Sequence, residues 1–141
     1  MKPKEHASVN RSPAWLQLTA TTAGLLYQSE TEATLTPVSH SARQAEFGPN
    51  DARELAGRGV EEHVEELSIA DFFAGPTEAQ DWHGPDEKQA VARYRTLQQL
   101  FSATLTSAKA FKLGQIRVTI LVIGRTAEGH WIGVRVEAVE T

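Results

Sequence analysis

Polar residues fill the chain from Met1 to Arg11, and apolar residues then begin to recur at helical spacing. Ser12 followed by Pro13 has the chemistry of an N-cap and a first helical position. Trp15, Leu18, Thr22 and Leu25 follow three or four residues apart, which predicts a helix from Pro13 to about Ala23 with Gly24 as its stop. Leu25 to Tyr27 is ambiguous. Glu32 to Ser41 is rich in Thr and Val and reads as one strand, with Pro37 pointing to an edge or irregular position. After the break at Gly48-Pro49-Asn50, "DARELAG" suits a short helix closed by Gly57. Val60 to Ile69 reads as a strand, and Ile69, Phe72 and Phe73 as an apolar helical turn.

Pro76 to Pro85 is polar and reads as a loop carrying Trp82. The strongest helix follows, with Pro85 first and Asp86 and Glu87 in the first turn, where carboxylates oppose the helix dipole. Ala90, Tyr94, Leu97, Phe101 and Leu105 make its apolar stripe. "QIRVTILVIG" and "HWIGVRVEAV" then read as two strands joined through "RTAEG", a hairpin. Ile120 to Ile123 is apolar on both faces, as in a strand covered on both sides. The order is helix, strand, short helix, strand, long helix, hairpin. It predicts an α+β domain with a mostly antiparallel sheet, helices packed on it and a C-terminal β-hairpin.

The last strand raises a question. Ile132, Val134, Val136 and Ala138 alternate with Gly133, Arg135 and Glu137, so the strand pattern runs almost to Thr141. Chain ends usually fray unless something ties them down. Either Val134 and Val136 simply belong to the core, or the strand serves to place Thr141.

Composition narrows the function classes. The 141 residues are enough for one domain with a real core, with Met1 to Arg11 as a flexible lead and 12–141 as the domain. No cysteine is present, which excludes disulfides, thiolate chemistry and cysteine zinc sites and suits a cytoplasmic location. The sequence shows neither a signal peptide nor a membrane span. The net charge of −4 argues against nucleic acid as the direct partner and leaves a basic protein open.

The usual chemical signatures are missing. His6, His40, His63, His83 and His130 show no local metal-ligand spacing, and they read as surface histidines unless ligands converge in three dimensions. No phosphate loop and no nucleophile elbow occurs. The carboxylate pairs Glu30/Glu32, Glu61/Glu62, Glu65/Glu66 and Asp86/Glu87 read as solvated faces or helix starts, with acid–base catalysis as the alternative. Trp82, among Gln80, Asp81, His83, Gly84 and Pro85, is either a lid folded onto the core or an exposed binding anchor. Trp15 and Trp131 lie on periodic segments and are expected to pack.

Several blocks nevertheless resemble a known family. "GLLYQSETE" (24–32), "FF" followed by "AQDW" (72–82), "LGQIRVTILVIGRTAEG" (113–129) and the ending "VET" are similar, in order and spacing, to the nuclease A inhibitor family. The resemblance implies a protein inhibitor of a sugar-nonspecific endonuclease that cuts DNA and RNA with a ββα-metal site. It implies a three-layer α/β/α sandwich like that of the plant pathogenesis-related proteins. It also implies a 1:1 complex, no cofactor and no metal of the inhibitor's own, with Mg²⁺ or Mn²⁺ supplied by the nuclease. Residue by residue, Glu30 corresponds to the family's Glu that meets an active-site Arg, Trp82 to the Trp beside the cleft, and Thr141 to the Thr near the bound ion. Gln28, the region after Glu32, and His83-Gly84-Pro85 depart from the family's pattern.

The implied chemistry is coherent. A cleft built for phosphodiesters accepts carboxylates, and Glu30 is suited to a charge-assisted fork with Arg. Thr141 offers a hydroxyl and an α-carboxylate, oxygen donors that suit a hard divalent ion. Glu32 and Glu140 join the expected contact set, and Glu137 and Glu140 add negative charge that speeds encounter with a basic enzyme. Two other readings stay open. One is an immunity protein against a nuclease toxin with the same mode of binding; the other, from a different class, is a small carboxylate-dependent hydrolase with His83 nearby.

Overall fold

A computed structural model describes residues 12–40 and 44–140. The chain runs α1 (Pro13–Thr22), β1 (Leu26–Gln28), β2 (Glu32–Thr34), β3 (Thr36–His40), α2 (Pro49–Ala56), β4 (Val64–Leu67), α3 (Ile69–Phe73), α4 (Pro85–Gln99), a π-helical turn (Leu100–Thr104), β5 (Thr106–Leu113), β6 (Arg117–Arg125) and β7 (Trp131–Val139). This is a mixed α+β fold. Five strands form one antiparallel sheet in the order β3-β7-β6-β5-β4, and β1 and β2 form a separate hairpin.

Local chemistry accounts for most boundaries. The Ser12 side chain accepts a hydrogen bond from the Trp15 N–H at 3.1 Å and caps α1. Gly24, at φ +71°, turns the chain out of that helix as no β-branched residue would. Gly57, at φ +72°, closes α2 in the same way. Asp51 accepts from Gly48 N–H at 2.8 Å, and Glu87 from Gly84 N–H at 2.9 Å, so each helix start is held by a carboxylate on its third residue.

The two faces of the sheet feed two apolar clusters. Ala110, Val118, Ile120, Val122, Ile132, Val134, Val136 and Ala138 pack with Leu18, Phe72, Phe73, Tyr94, Leu97 and Phe101 from the helical elements. Phe111, Leu113, Leu121, Ile123 and Trp131 pack with Phe47, Ala52 and Ala56 around α2. The period-2 alternation of β6 therefore supplies both clusters, as its doubly apolar run predicts. Trp131 is fully buried and satisfies its indole N–H on the Gln44 carbonyl at 2.8 Å.

Four expectations need correction. The stretch 32–41 is not one strand: the chain breaks at buried Leu35, so β2 pairs with β1 while β3 joins the large sheet at its edge. Val60 is 82% exposed in a turn, and only Val64–Leu67 of the expected strand 60–69 pairs. Thr106–Leu113, which shows no clear strand period in the sequence, is a full strand between β4 and β6. His130 is buried rather than superficial, because the β6–β7 loop folds back and its N–H and C=O both bond to Thr126.

Candidate functional site

Three chain segments meet at the end of β7. The first is the β1–β2 turn. Ser29 N–H donates to the Thr31 carbonyl at 2.9 Å, and the Ser29 hydroxyl both donates to that carbonyl and accepts from the Thr31 N–H. This is a self-bonded serine turn, which fixes the neighbouring Glu30 backbone. Across the hairpin the Gln28 amide donates to the Glu32 carboxylate at 2.6 Å. The second segment is the turn from β5 into β6, where Gly114 sits at φ +98° with its N–H on the His63 carbonyl at 2.9 Å. A Cβ there would lie 2.5 Å from the Arg117 carbonyl and 2.6 Å from the Arg58 guanidinium, so only glycine fits. That turn exposes Ile116, which is 62% accessible.

The third segment is β7 itself, and the other two grip it. Glu30 N–H donates to the Val139 carbonyl at 3.2 Å, and Val139 N–H donates to the Ser29 hydroxyl at 3.1 Å. Glu140 N–H donates to the Ile116 carbonyl at 2.9 Å. The Lys112 ammonium donates to both oxygens of the Glu140 carboxylate, at 2.9 and 3.2 Å.

The electrostatics arise from this packing. Burial alone would lower the pKa of Lys112. The hydrogen bond and charge of Glu140, with smaller contributions from Tyr27 and Glu65, outweigh it and hold the ammonium above its ordinary value. Burial, offset in part by Lys112 and reinforced by Glu140, raises the Tyr27 phenol. Glu137 accepts from the Arg135 guanidinium at 3.0 Å and from the Thr119 hydroxyl at 2.9 Å. The negative charge expected from Glu137 and Glu140 is thus largely offset by Arg135 and Lys112.

The structure brings Glu30 and Glu140 together, with Glu32 on the same hairpin as Glu30. Glu30 and Glu32 are both exposed. Trp82 is on a different loop, between α3 and α4. It is 73% exposed, with its indole edge-on to the His83 ring at 4.3 Å, so it is not a lid on the core. The His83 ring nitrogen Nδ1 accepts from Gln80 N–H at 3.1 Å and closes that loop. The loop leaves α3, whose Phe72 stacks on Tyr27 of β1 at 5.6 Å, and it enters α4, whose Tyr94 hydroxyl donates to the Leu26 carbonyl at 2.7 Å. The hairpin carrying Glu30 therefore packs on the helices that flank the Trp82 loop. Thr141 lies outside the described residues.

Ser29, Lys112 and Ile116 also belong to this corner, although sequence reasoning alone does not single them out. Ser29 carries a signal, since it precedes Glu30 in "QSE". Lys112 carries none, because its partner is distant along the chain.

A family model for the nuclease A inhibitor-like protein (NuiA) family matches residues 12–141. The chain belongs to that family. Membership implies a non-enzymatic inhibitor whose partner is a nuclease. No individually curated protein matches the chain.

The remaining chemistry sits elsewhere on the inhibitor. His40, Asp51 and Glu54 place potential ligand atoms within 4.8 Å of one another, so ligands do converge in space although their spacing along the chain gave no hint. Asp51 already accepts from Gly48 N–H, and its carboxyl is held below its ordinary value. Burial would raise it, but the Gly48 and Gln44 hydrogen bonds and the nearby His40 prevail. Two surface depressions, one beside Arg95 and Ser102 and one beside Glu66 and Lys109, involve neither Trp82 nor the β7 corner. One member of each other carboxylate pair is engaged structurally: Glu62 with Arg58 at 3.0 Å, Glu66 with Lys109 at 3.6 Å, and Glu87 at the start of α4. Among the described residues no helix is long and apolar enough to cross a membrane.

Proposed function

We propose that residues 12–141 act as a single inhibitory domain, with helices on both sides of the sheet in a three-layer α/β/α arrangement. It binds a sugar-nonspecific ββα-metal endonuclease 1:1 and blocks its active site. Glu30 pairs with a cleft arginine, Glu32 and Glu140 flank it, and Thr141 brings oxygen donors towards the nuclease's divalent ion. Trp82 seats beside the cleft as an aromatic anchor.

The observation that supports this reading best is the pinning of Val139 to the Ser29-Glu30 turn by two hydrogen bonds, at 3.1 and 3.2 Å. It makes Glu30 and Glu140 neighbours along the chain's two paired segments, which suits an active-site plug. It also fits the second reading of the terminal strand, in which β7 serves to place the chain's last residues. An exposed indole on a closed loop, in a chain of this family, suits an interface anchor, since monomers seldom leave Trp in solvent without use.

A pull-down of purified sugar-nonspecific ββα-metal endonucleases on the immobilised full chain tests the proposal. Retention of a nuclease by wild type, and its loss with Glu30→Ala, supports it. Equal retention by the variant removes Glu30 from the interface.

A further inference from the structure

We propose that Lys112 is a positioning residue for the inhibitory site, holding the end of β7 in its binding geometry before the nuclease arrives. The inference rests on the proposed function and adds the device that pre-organises it.

The geometry is specific. Lys112 is on β5, two strands away from β7 in the sheet order, yet its ammonium reaches across to take both Glu140 oxygens. Glu140 is the residue just past the last ladder pair of β6 and β7, Arg117 with Val139. Beyond that pair a single backbone bond, Glu140 N–H to the Ile116 carbonyl, continues the contact with the β6 side, where a chain would ordinarily fray. Here Glu140 is held at both ends: its N–H by the Ile116 carbonyl at 2.9 Å and its carboxylate by Lys112. Ser29 and Glu30 hold Val139 from the other side. The pair is partly shielded, with side-chain exposures of 27% for Lys112 and 37% for Glu140, and the charge-assisted bonds from one ammonium to both oxygens tether the Glu140 side chain.

The sign of the charge separates positioning from plain electrostatics. A cleft that binds phosphodiesters is cationic, so a lysine at its rim opposes association. Removing that charge speeds encounter by Coulomb's law alone. Loss of positioning acts the other way: the segment must then be ordered during binding, which weakens the complex through faster dissociation.

The test uses the full chain as wild type, Lys112→Met, Lys112→Arg and Glu140→Gln. Backbone amide exchange is read on each free protein, and association and dissociation rates are read against an inhibited ββα-metal endonuclease. Lys112→Met and Glu140→Gln are both expected to speed exchange at Glu140 selectively, and Lys112→Met, which alters no residue proposed to contact the nuclease, to raise the dissociation rate about fivefold to tenfold, the scale of ordering one or two side chains on binding. Lys112→Arg is expected to restore most of both. Nuclease inhibition by Lys112→Met as tight as that of wild type overturns the inference alone. Uniformly faster exchange across β5 to β7 assigns Lys112 to general stability and overturns it as well. Failure of wild type to inhibit any such nuclease overturns the proposed function, and the inference with it.

Discussion

The backbone N–H of Glu30 and the carbonyl of Val139 are joined at 3.2 Å, so a turn near the start of the domain is stitched to the end of its last strand. The Ser29 hydroxyl closes the same contact by accepting from the Val139 N–H. Together they bring residues more than a hundred positions apart into one corner.

Ser29→Ala removes the acceptor of Val139 N–H and the hydroxyl that shapes the β1–β2 turn. A loss of about 1 kcal/mol in unfolding free energy is expected, the usual weight of one intramolecular hydrogen bond. Amide exchange at Val139 is expected to rise in the same variant. Unchanged exchange there would show that the bond does not hold the strand end.

Trp82→Ala separates an anchor from a structural residue. The side chain is 73% exposed, so the melting temperature is expected to stay within a few degrees of wild type. Inhibition is expected to weaken at least about tenfold, from a truncation cost of about 2–4 kcal/mol. Calorimetry with the activity assay reads both at once.

Glu30→Ala keeps the backbone bond to Val139 and deletes only the carboxylate. Truncating one member of a desolvated ion pair costs about 2–5 kcal/mol of binding. Potency is therefore expected to drop at least about tenfold with unfolding free energy nearly unchanged. Inhibition curves and urea titrations on the same preparation check this.

Asp51 links stability to pH. Its carboxyl ionises more readily in the folded state, so its contribution is complete above the ordinary carboxyl value of 3.8 and is lost as pH falls through the lower folded value. Asp51→Ala is expected to cost about 1 kcal/mol near neutrality, the weight of a helix cap. The gap between variant and wild type is expected to close in acid below the folded value. Denaturant titrations across that range give the sign directly.

Gly133→Ala probes the frame that carries the corner. A Cβ on Gly133 would fall 1.8 Å from the Val122 carbonyl oxygen in the paired strand. A fall in stability at the upper end of the about 1–3 kcal/mol typical of overpacking is expected, with β6 and β7 forced apart. Thermal unfolding measures it.

Much of this was legible in the residues, and the exceptions have physical causes. Ser12-Pro13, Gly57 and Pro85-Asp86-Glu87 marked helix ends because caps and dipoles act locally. The alternation in β7 and the doubly apolar run in β6 marked the two central strands. Thr106–Leu113 carries no strand signal because Ala108, Lys109, Ala110 and Lys112 are weak strand formers, and only pairing with β4 and β6 makes them extended. Its pairing also slips between Thr106 and Lys109, where Ser107 has φ +53°, which interrupts any simple period. The break at Leu35 leaves no trace in the residues because Thr34 before it and Thr36 and Val38 after it all favour strand; Leu35 is buried where the two strands part. In the candidate site, Glu30 and Trp82 stood out through the family resemblance and loop composition. Lys112 did not, since an ion pair between residues on separate strands leaves no trace in spacing.

Blocking a nuclease active site is the proposed function of this chain. Its most direct test is an activity titration: a panel of sugar-nonspecific ββα-metal endonucleases at fixed concentration, each with rising amounts of the full chain. A linear fall in activity is expected for at least one enzyme, reaching its floor at one inhibitor per nuclease. Undiminished cleavage across the panel at large molar excess would contradict it.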